Sequence, residues 1–174
     1  MIGAEVEGGA GGFFDATWQQ AETRGEQGKF VGRAVRGEIG GDDLRVPLRE
    51  QFRRADNMTD AMAALTCLAN ADCPEREPAL QAFYDKWRDE PLVVDKWLMV
   101  QATSRLPGTV ARVKELLAHR AFDLKVPNKV YALIRSFSAN HVRFHAADGT
   151  GYEFLADQVI ALNALNPQVE ARMA

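Results

Sequence analysis

The sequence predicts an all-α fold, a superhelical stack of antiparallel helix pairs of the armadillo or HEAT type with about eight helices. Two observations support this prediction. After residue 45, apolar residues recur at spacings of three and four, and short turns marked by proline or glycine separate the apolar segments. No segment after residue 45 has convincing strand character. Short turns between many helices favour an α-solenoid over a four-helix bundle.

A pair of helices around residues 84–108 organises this prediction. The first helix of the pair has an apolar face, formed by Leu80, Phe83, Tyr84 and Trp87. Pro91 cannot continue that helix, but it suits the first turn of the next one, where its missing N–H is not needed. Pro107 and Gly108 then end the second helix. Two helices joined by such a short corner form an αα-hairpin, on which the other helices are expected to stack.

The first four helices are indicated by apolar spacing, capping residues and proline. We expect a short helix at 46–55 because of its apolar residues Leu44, Val46, Leu48 and Phe52. The polar run 56–60 supplies N-cap candidates for a second helix that ends near residue 70. Pro74 marks the break before the third helix, at 74–89, and Pro91 opens the fourth, which ends near residue 103.

The second half of the chain follows the same signals. A fifth helix, from 108 to about 120, is indicated by Val110, Val113, Leu116 and Leu117. An extended link at 122–126 leads to a sixth helix at 129–138. A loop is expected at 139–151, where Gly149 and Gly151 permit positive φ. The seventh helix covers 153–165, and the eighth begins at Gln168.

The first 45 residues differ in composition from the rest. They contain eleven of the fourteen glycines and no sustained apolar period. We expect this Gly-rich segment to be poorly ordered, because it has much backbone freedom and little to bury. The predicted domains are therefore the segment 1–45 and a helical-repeat domain at 46–174.

Charge and hydropathy exclude several classes of function. The net charge is −3 and no basic cluster is interleaved with aromatic residues, so we expect no nucleic-acid partner. No run of eighteen apolar residues and no secretory signal is present, so we expect no membrane association and a cytoplasmic location. Cys67 and Cys73 are then expected to be reduced thiols.

No group of residues in the sequence predicts a self-contained active site. His141 and His145 have the spacing of two zinc ligands but lack the adjacent glutamate, so we expect loop histidines bonded to the backbone and no metal site. Cys67 lies on an apolar face and is expected in the core. Trp87 and Trp97 stand among aliphatic residues and are also interpreted as core, rather than as a stacking surface for a ligand.

One pair near the end of the sequence has the chemistry of a binding site. Gln168 and Arg172 are four residues apart, which places them on one face of a helix. A guanidinium beside an amide can hold a carboxylate in planar, bidentate fashion. The alternative interpretation is a solvated surface pair.

Several motifs stand in an order and spacing that resemble one family. They are Asn57-Met-Thr-Asp60, Phe83-Tyr-Asp-Lys-Trp-Arg-Asp-Glu-Pro-Leu-Val-Val-Asp-Lys-Trp97, Pro127-Asn128, Phe144-His-Ala-Ala-Asp-Gly-Thr-Gly-Tyr152 and Asn166-Pro-Gln-Val169. Over about three quarters of the chain, this pattern is similar to the C-terminal domain of bacterial aminopeptidase N, a zinc metalloaminopeptidase. The resemblance implies a superhelical domain that caps the catalytic domain and encloses a chamber for peptides above the zinc.

The resemblance also implies what this chain lacks and what it keeps. The family's zinc helix, His-Glu-x-x-His, and its substrate loop, Gly-Ala-Met-Glu-Asn, do not occur in the sequence, so no catalytic residue and no zinc ligand is predicted. Arg172, with Gln168 beside it, is implied to face the chamber and to meet peptide carboxylates or carbonyls. A second basic position in the family, after Pro127-Asn128, is Tyr131 here.

Three functions follow from these observations. The first is a chamber-forming, non-catalytic domain, whose partners are the catalytic domain of a parent aminopeptidase and peptides. Residues 1–45 do not match the family, so we expect a fragment of such a gene behind an unrelated leader. The second function is a free-standing α-solenoid that binds a peptide or protein along its concave face. An independent enzyme is disfavoured because the zinc motif is missing.

Overall fold

A computed structural model describes residues 42–165 and 167–172, and all regular elements in these two ranges are helices. The predicted all-α class is therefore confirmed for this part of the chain. The predicted disorder of the Gly-rich segment falls, up to residue 41, outside the described residues. The chain divides into two compact units, Met1–Cys67 and Leu68–Ala174, which are described one at a time.

The described part of the first unit contains α1 (Asp42–Arg54) and most of α2 (Met58–Ala69). The structure starts α1 at Asp42, four residues before the predicted start at residue 46. Asn57 caps α2, because its side-chain oxygen accepts the backbone N–H of Asp60 at 2.9 Å. The predicted capping run is thus confirmed.

The second unit contains seven further described helices. They are α3 (Arg76–Trp87), α4 (Pro91–Ala102), α5 (Thr109–Leu117), α6 (residues 127–138), α7 (His141–Phe144), α8 (Thr150–Asn163) and α9 (Pro167–Glu170). None of the helices described here is long and apolar enough to cross a membrane.

Helix α4 is the centre of this unit, as the sequence predicts for the hairpin around Pro91. It packs against α3, α5 and α6. Trp97 is buried, and its indole N–H donates to the Leu80 carbonyl of α3 at 2.8 Å. Gln101, fully buried, donates to the Trp97 carbonyl at 3.1 Å and accepts the Arg112 Nε–H at 2.9 Å. Both polar side chains are thus satisfied inside the core.

A buried asparagine holds the C-terminal end of α4. The Asn140 amide donates to the carbonyls of Ala102, at 3.1 Å, and Ser104, at 2.7 Å. The Ser104 hydroxyl in turn donates to the Ala69 carbonyl at 2.9 Å. The last carbonyls of a helix have no partner within it, so these side chains supply the missing donors.

Helix α6 contains one π-helical turn, Tyr131–Arg135, between two α-helical segments. The backbone N–H of Ser136 bonds to the Tyr131 carbonyl, five residues earlier. The Ser136 hydroxyl donates to the same carbonyl at 3.2 Å. π-Helical turns are rare in proteins, and those that do occur often lie at functional sites.

The segment 139–151, predicted as a loop, contains α7 and the start of α8. Gly149 has φ of 73°, as predicted, and precedes α8. Gly151 serves a different purpose, because it is buried against the backbone of Phe144 within α7. The extended link predicted at 122–126 is also interrupted, by a turn in which the Val126 N–H bonds to the Asp123 carbonyl at 3.0 Å.

Candidate functional site

The predicted pair Gln168 and Arg172 lies at the last described helix. Both side chains are exposed. Helix α9 ends at Glu170, and the Arg172 N–H bonds to the Val169 carbonyl, only three residues back, at 3.2 Å. The two side chains make no hydrogen bond to each other. A shared helix face therefore does not position Arg172.

Arg172 reaches instead to the π turn of α6. Its Nη1 atom lies 3.5 Å from the Tyr131 hydroxyl, a long polar contact between positions 41 residues apart in sequence. The structure thus brings Arg172 to Tyr131, where the resemblance implies a second basic position in the family.

A second guanidinium flanks the same tyrosine. The Cζ atom of Arg135 lies 5.8 Å from the centroid of the Tyr131 ring, within the range of a cation–π contact. Arg135 is exposed and Tyr131 is half-buried. Within residues 42–165 and 167–172, neither Arg135 nor Arg172 forms an ion pair. We call Tyr131, Arg135, Gln168 and Arg172 the arginine site.

The chemistry of the arginine site favours anions. Two guanidiniums supply donors in planar forks, and the hydroxyl and amide supply further hydrogen bonds. Sequence reasoning missed Arg135, although its spacing of four from Tyr131 on a helix was a readable signal. The π turn and the approach of α9 to α6 had no such signal.

The histidines do not form a metal site with other ligands in the described ranges. No group of three potential ligands occurs among those residues. His141 and His145 lie in or just after α7, and their rings stack with centroids 5.6 Å apart. The Nδ1 of His145 lies 2.6 Å from the Tyr152 hydroxyl, so the prediction of a backbone partner is wrong for this histidine. The Tyr152 hydroxyl, on α8, is the partner of this histidine in place of a backbone group.

Cysteine and tryptophan side chains are mainly structural. No disulfide joins Cys67 and Cys73, which agrees with the expected reduced state. Burial raises the pKa of Cys67 to about 11, so its thiol stays protonated at neutral pH and is a poor nucleophile. The prediction of a core position holds for Trp97, but not for Trp87, which is only half-buried because it stands at the end of α3.

Comparisons with known proteins agree with this architecture. Residues 38–174 match a family model described as "Domain of unknown function (DUF3458_C) ARM repeats". Aminopeptidase N of Escherichia coli is 43% identical over 129 residues, which are 74% of this chain and 15% of that protein. Aminopeptidase N of Caulobacter vibrioides is 41% identical over 123 residues, 70% of this chain and 14% of that protein.

A solved structure gives the same result. The chain resembles Legionella pneumophila aminopeptidase A, crystallised in complex with aspartic acid, with a TM-score of 0.72 and 30% identity over 92% of this chain and 22% of that one. The resemblance that the motifs predict is thereby confirmed, and so is the helical-repeat fold. The chain spans about 15% of the length of the curated relatives it matches.

Proposed function

The chain belongs to the DUF3458_C family of ARM-repeat domains, and from this membership we propose that it is the chamber-forming, non-catalytic C-terminal domain of a zinc-dependent aminopeptidase. The parent enzyme removes N-terminal residues from peptides in the cytoplasm. Its catalytic domain is the partner of this chain, and zinc belongs to that domain, because this sequence has no His-Glu-x-x-His motif. The proposal includes the predicted helical domain at 46–174, and α1 and the family match extend it to residues 42 and 38.

The arginine site is the observation that carries this proposal. A peptide in an enclosed chamber has a C-terminal carboxylate that must be solvated or paired. Arg172 and Arg135, without carboxylate partners in the described residues, supply charged donors near the hydroxyl and the ring of Tyr131. Gln168, exposed on α9, supplies a neutral donor and acceptor. In this proposal the site positions the peptide and takes no part in bond cleavage.

Replacing Arg172 with glutamine is expected to weaken the binding of a peptide acid by about tenfold, because a charge-assisted hydrogen bond is lost. The sequence offers a direct measurement. It contains three tyrosines, so a chain labelled with ¹³C in the tyrosine rings gives one reporter at the arginine site, Tyr131, and two elsewhere. Titration with an N-acetylated tetrapeptide acid should shift the Tyr131 signals.

The matched controls change one charge at a time. The same tetrapeptide as a C-terminal amide should shift Tyr131 much less, and Arg105→Gln, an exposed arginine in another part of the unit, should bind the acid like the original chain. Equal shifts with acid and amide, or no loss in Arg172→Gln, would show that the arginine site does not recognise a carboxylate.

A free-standing peptide-binding module is the second candidate. It is favoured by large apolar side chains that are exposed in the second unit, such as Leu92 and Ile160. This function predicts that a peptide binds through its side chains. Loss of affinity on shortening apolar peptide residues, with no response to the terminal charge, would favour it over the chamber domain.

A further inference from the structure

A cavity with a charged lining lies at the corner between α3 and α4, and none of the residues of the arginine site lines it. Its volume is about 560 Å³, within the range of small-ligand sites. The floor and walls include Tyr84, Pro91, Val94 and Ala121. Tyr84 and Val94 are buried. The cavity therefore has apolar surface in its lining, beside the polar groups described next.

Basic side chains dominate its charged lining. Arg88, Arg120 and Lys129 line the cavity, against the single acidic residue Asp89. The Arg88 Nε lies 3.9 Å from the Asp89 carboxylate, and both side chains are largely exposed, so this pair is weak. The one carboxylate cancels one of the three positive charges, so the lining keeps a net positive charge.

Lys129 already forms an ion pair with a carboxylate that is not part of the cavity lining. Its ammonium lies 2.7 Å from the Asp95 carboxylate and also donates to the Pro91 carbonyl at 3.2 Å. Both side chains of this ion pair are mostly buried. The pair connects α4 to α6 and fixes one wall, and it leaves Lys129 with little charge to offer a ligand.

Arg120 is the cation that faces the cavity without an acidic partner among the described residues. Its Nε–H donates to the Tyr84 hydroxyl at 3.0 Å, and its Cζ lies 5.4 Å from the Tyr84 ring centroid. These contacts hold the guanidinium in place and leave its two Nη groups for a ligand. The pKa of neighbouring His119 is lowered, by burial first and then by Arg120 and Arg112, so this histidine adds no charge at neutral pH.

We propose that this cavity binds a carboxylate-bearing ligand about the size of a dipeptide, with Arg120 as its main contact and Arg88 as a second. A fixed guanidinium matches a carboxylate in planar, bidentate geometry. The apolar surface accepts the rest of the ligand. This inference does not depend on the proposed function, because it concerns different residues, Arg88 and Arg120, in the cavity at the corner between α3 and α4.

The tyrosine-labelled full chain tests this cavity separately from the arginine site. Tyr84 reports the cavity, Tyr131 the arginine site, and Tyr152, which contacts His145, neither. Three probes are titrated. They are N-acetyl-alanyl-alanine, its C-terminal amide, and the amide of N-acetyl-glutamic acid, whose carboxylate is in the side chain. The two acids should shift Tyr84, and the neutral amide should not.

The probes also distinguish the source of the carboxylate. A response to the first acid alone indicates a free peptide terminus, and a response to the glutamate probe alone indicates an acidic side chain of a protein segment. A Tyr84 that does not respond to either acid, or that responds equally to the neutral amide, would overturn the proposal.

Arg120→Gln should weaken the Tyr84 response by about tenfold while Tyr131 still responds. Arg172→Gln should weaken the Tyr131 response while Tyr84 still responds. Failure of one site is therefore distinguishable from failure of the other. Circular dichroism checks that Arg120→Gln folds. If it does not, Arg88→Gln, on an exposed side chain, serves as the test and should weaken binding several-fold. Unchanged affinity in every folded cavity variant would contradict the role of these arginines.

Discussion

Replacing Trp97 with alanine is expected to lower the free energy of unfolding by about 3–5 kcal/mol. Trp97 is 3% exposed on α4. Its ring centroid lies 4.8 Å from that of Tyr84 and 5.2 Å from that of His119. The substitution removes these contacts, opens a cavity and removes the indole hydrogen bond to the Leu80 carbonyl. Urea unfolding followed by circular dichroism measures the loss.

Trp87 provides the matched control for this substitution. It has the same chemistry, but it is half-buried at the end of α3. The Lys86 ammonium lies 5.2 Å from the centroid of its ring. Trp87→Ala is expected to cost about 1 kcal/mol. Equal losses in the two variants would contradict the central position of α4.

Replacing Gly151 with alanine is expected to destabilise the chain by about 3 kcal/mol or more. A Cβ atom at this position would lie 2.3 Å from the Phe144 carbonyl oxygen and 2.9 Å from the Phe144 carbonyl carbon. These are backbone atoms, so α7 and α8 would have to separate. Alanine normally stabilises a helix relative to glycine by about 0.5–1 kcal/mol, so the sign of the measured change is itself informative.

Gly149 is the control for this substitution, because it has an unusual backbone conformation but no steric overlap. It has φ of 73°, and a Cβ there would meet no atom within 4 Å. Gly149→Ala is therefore expected to cost only about 1–2 kcal/mol, from the left-handed conformation. Thermal or urea unfolding of both variants gives the comparison. A Gly151→Ala chain as stable as the original would show that α7 and α8 do not pack so closely.

The hairpin at Pro91 was predictable because proline acts locally. Pro91 cannot extend α3, and it suits the start of α4, whatever the rest of the chain does. Helix α7 was not predictable in this way. Asn140 stands just before α7, where it would signal an N-cap, but its side chain serves the end of α4. The sequence does not show which of these partners a polar side chain will take.

The arginine site shows the same limit. Arg172 and Gln168 were identified from chemistry and spacing, and the resemblance drew attention to Tyr131. The contact between Arg172 and Tyr131 joins residues 41 positions apart, and it depends on how α9 meets α6. Local spacing contains no information on that approach. The π turn at Tyr131 likewise depends on Ser136 satisfying a carbonyl five residues earlier.

The central claim is that this chain contacts peptides without cleaving them. The most direct measurement uses the tyrosine-labelled chain, zinc and the tetrapeptide acid described above, now without its acetyl group. NMR follows Tyr131, and mass spectrometry follows the peptide. The account predicts a shift of Tyr131 while the peptide stays intact. Release of the N-terminal residue by the purified chain would contradict it.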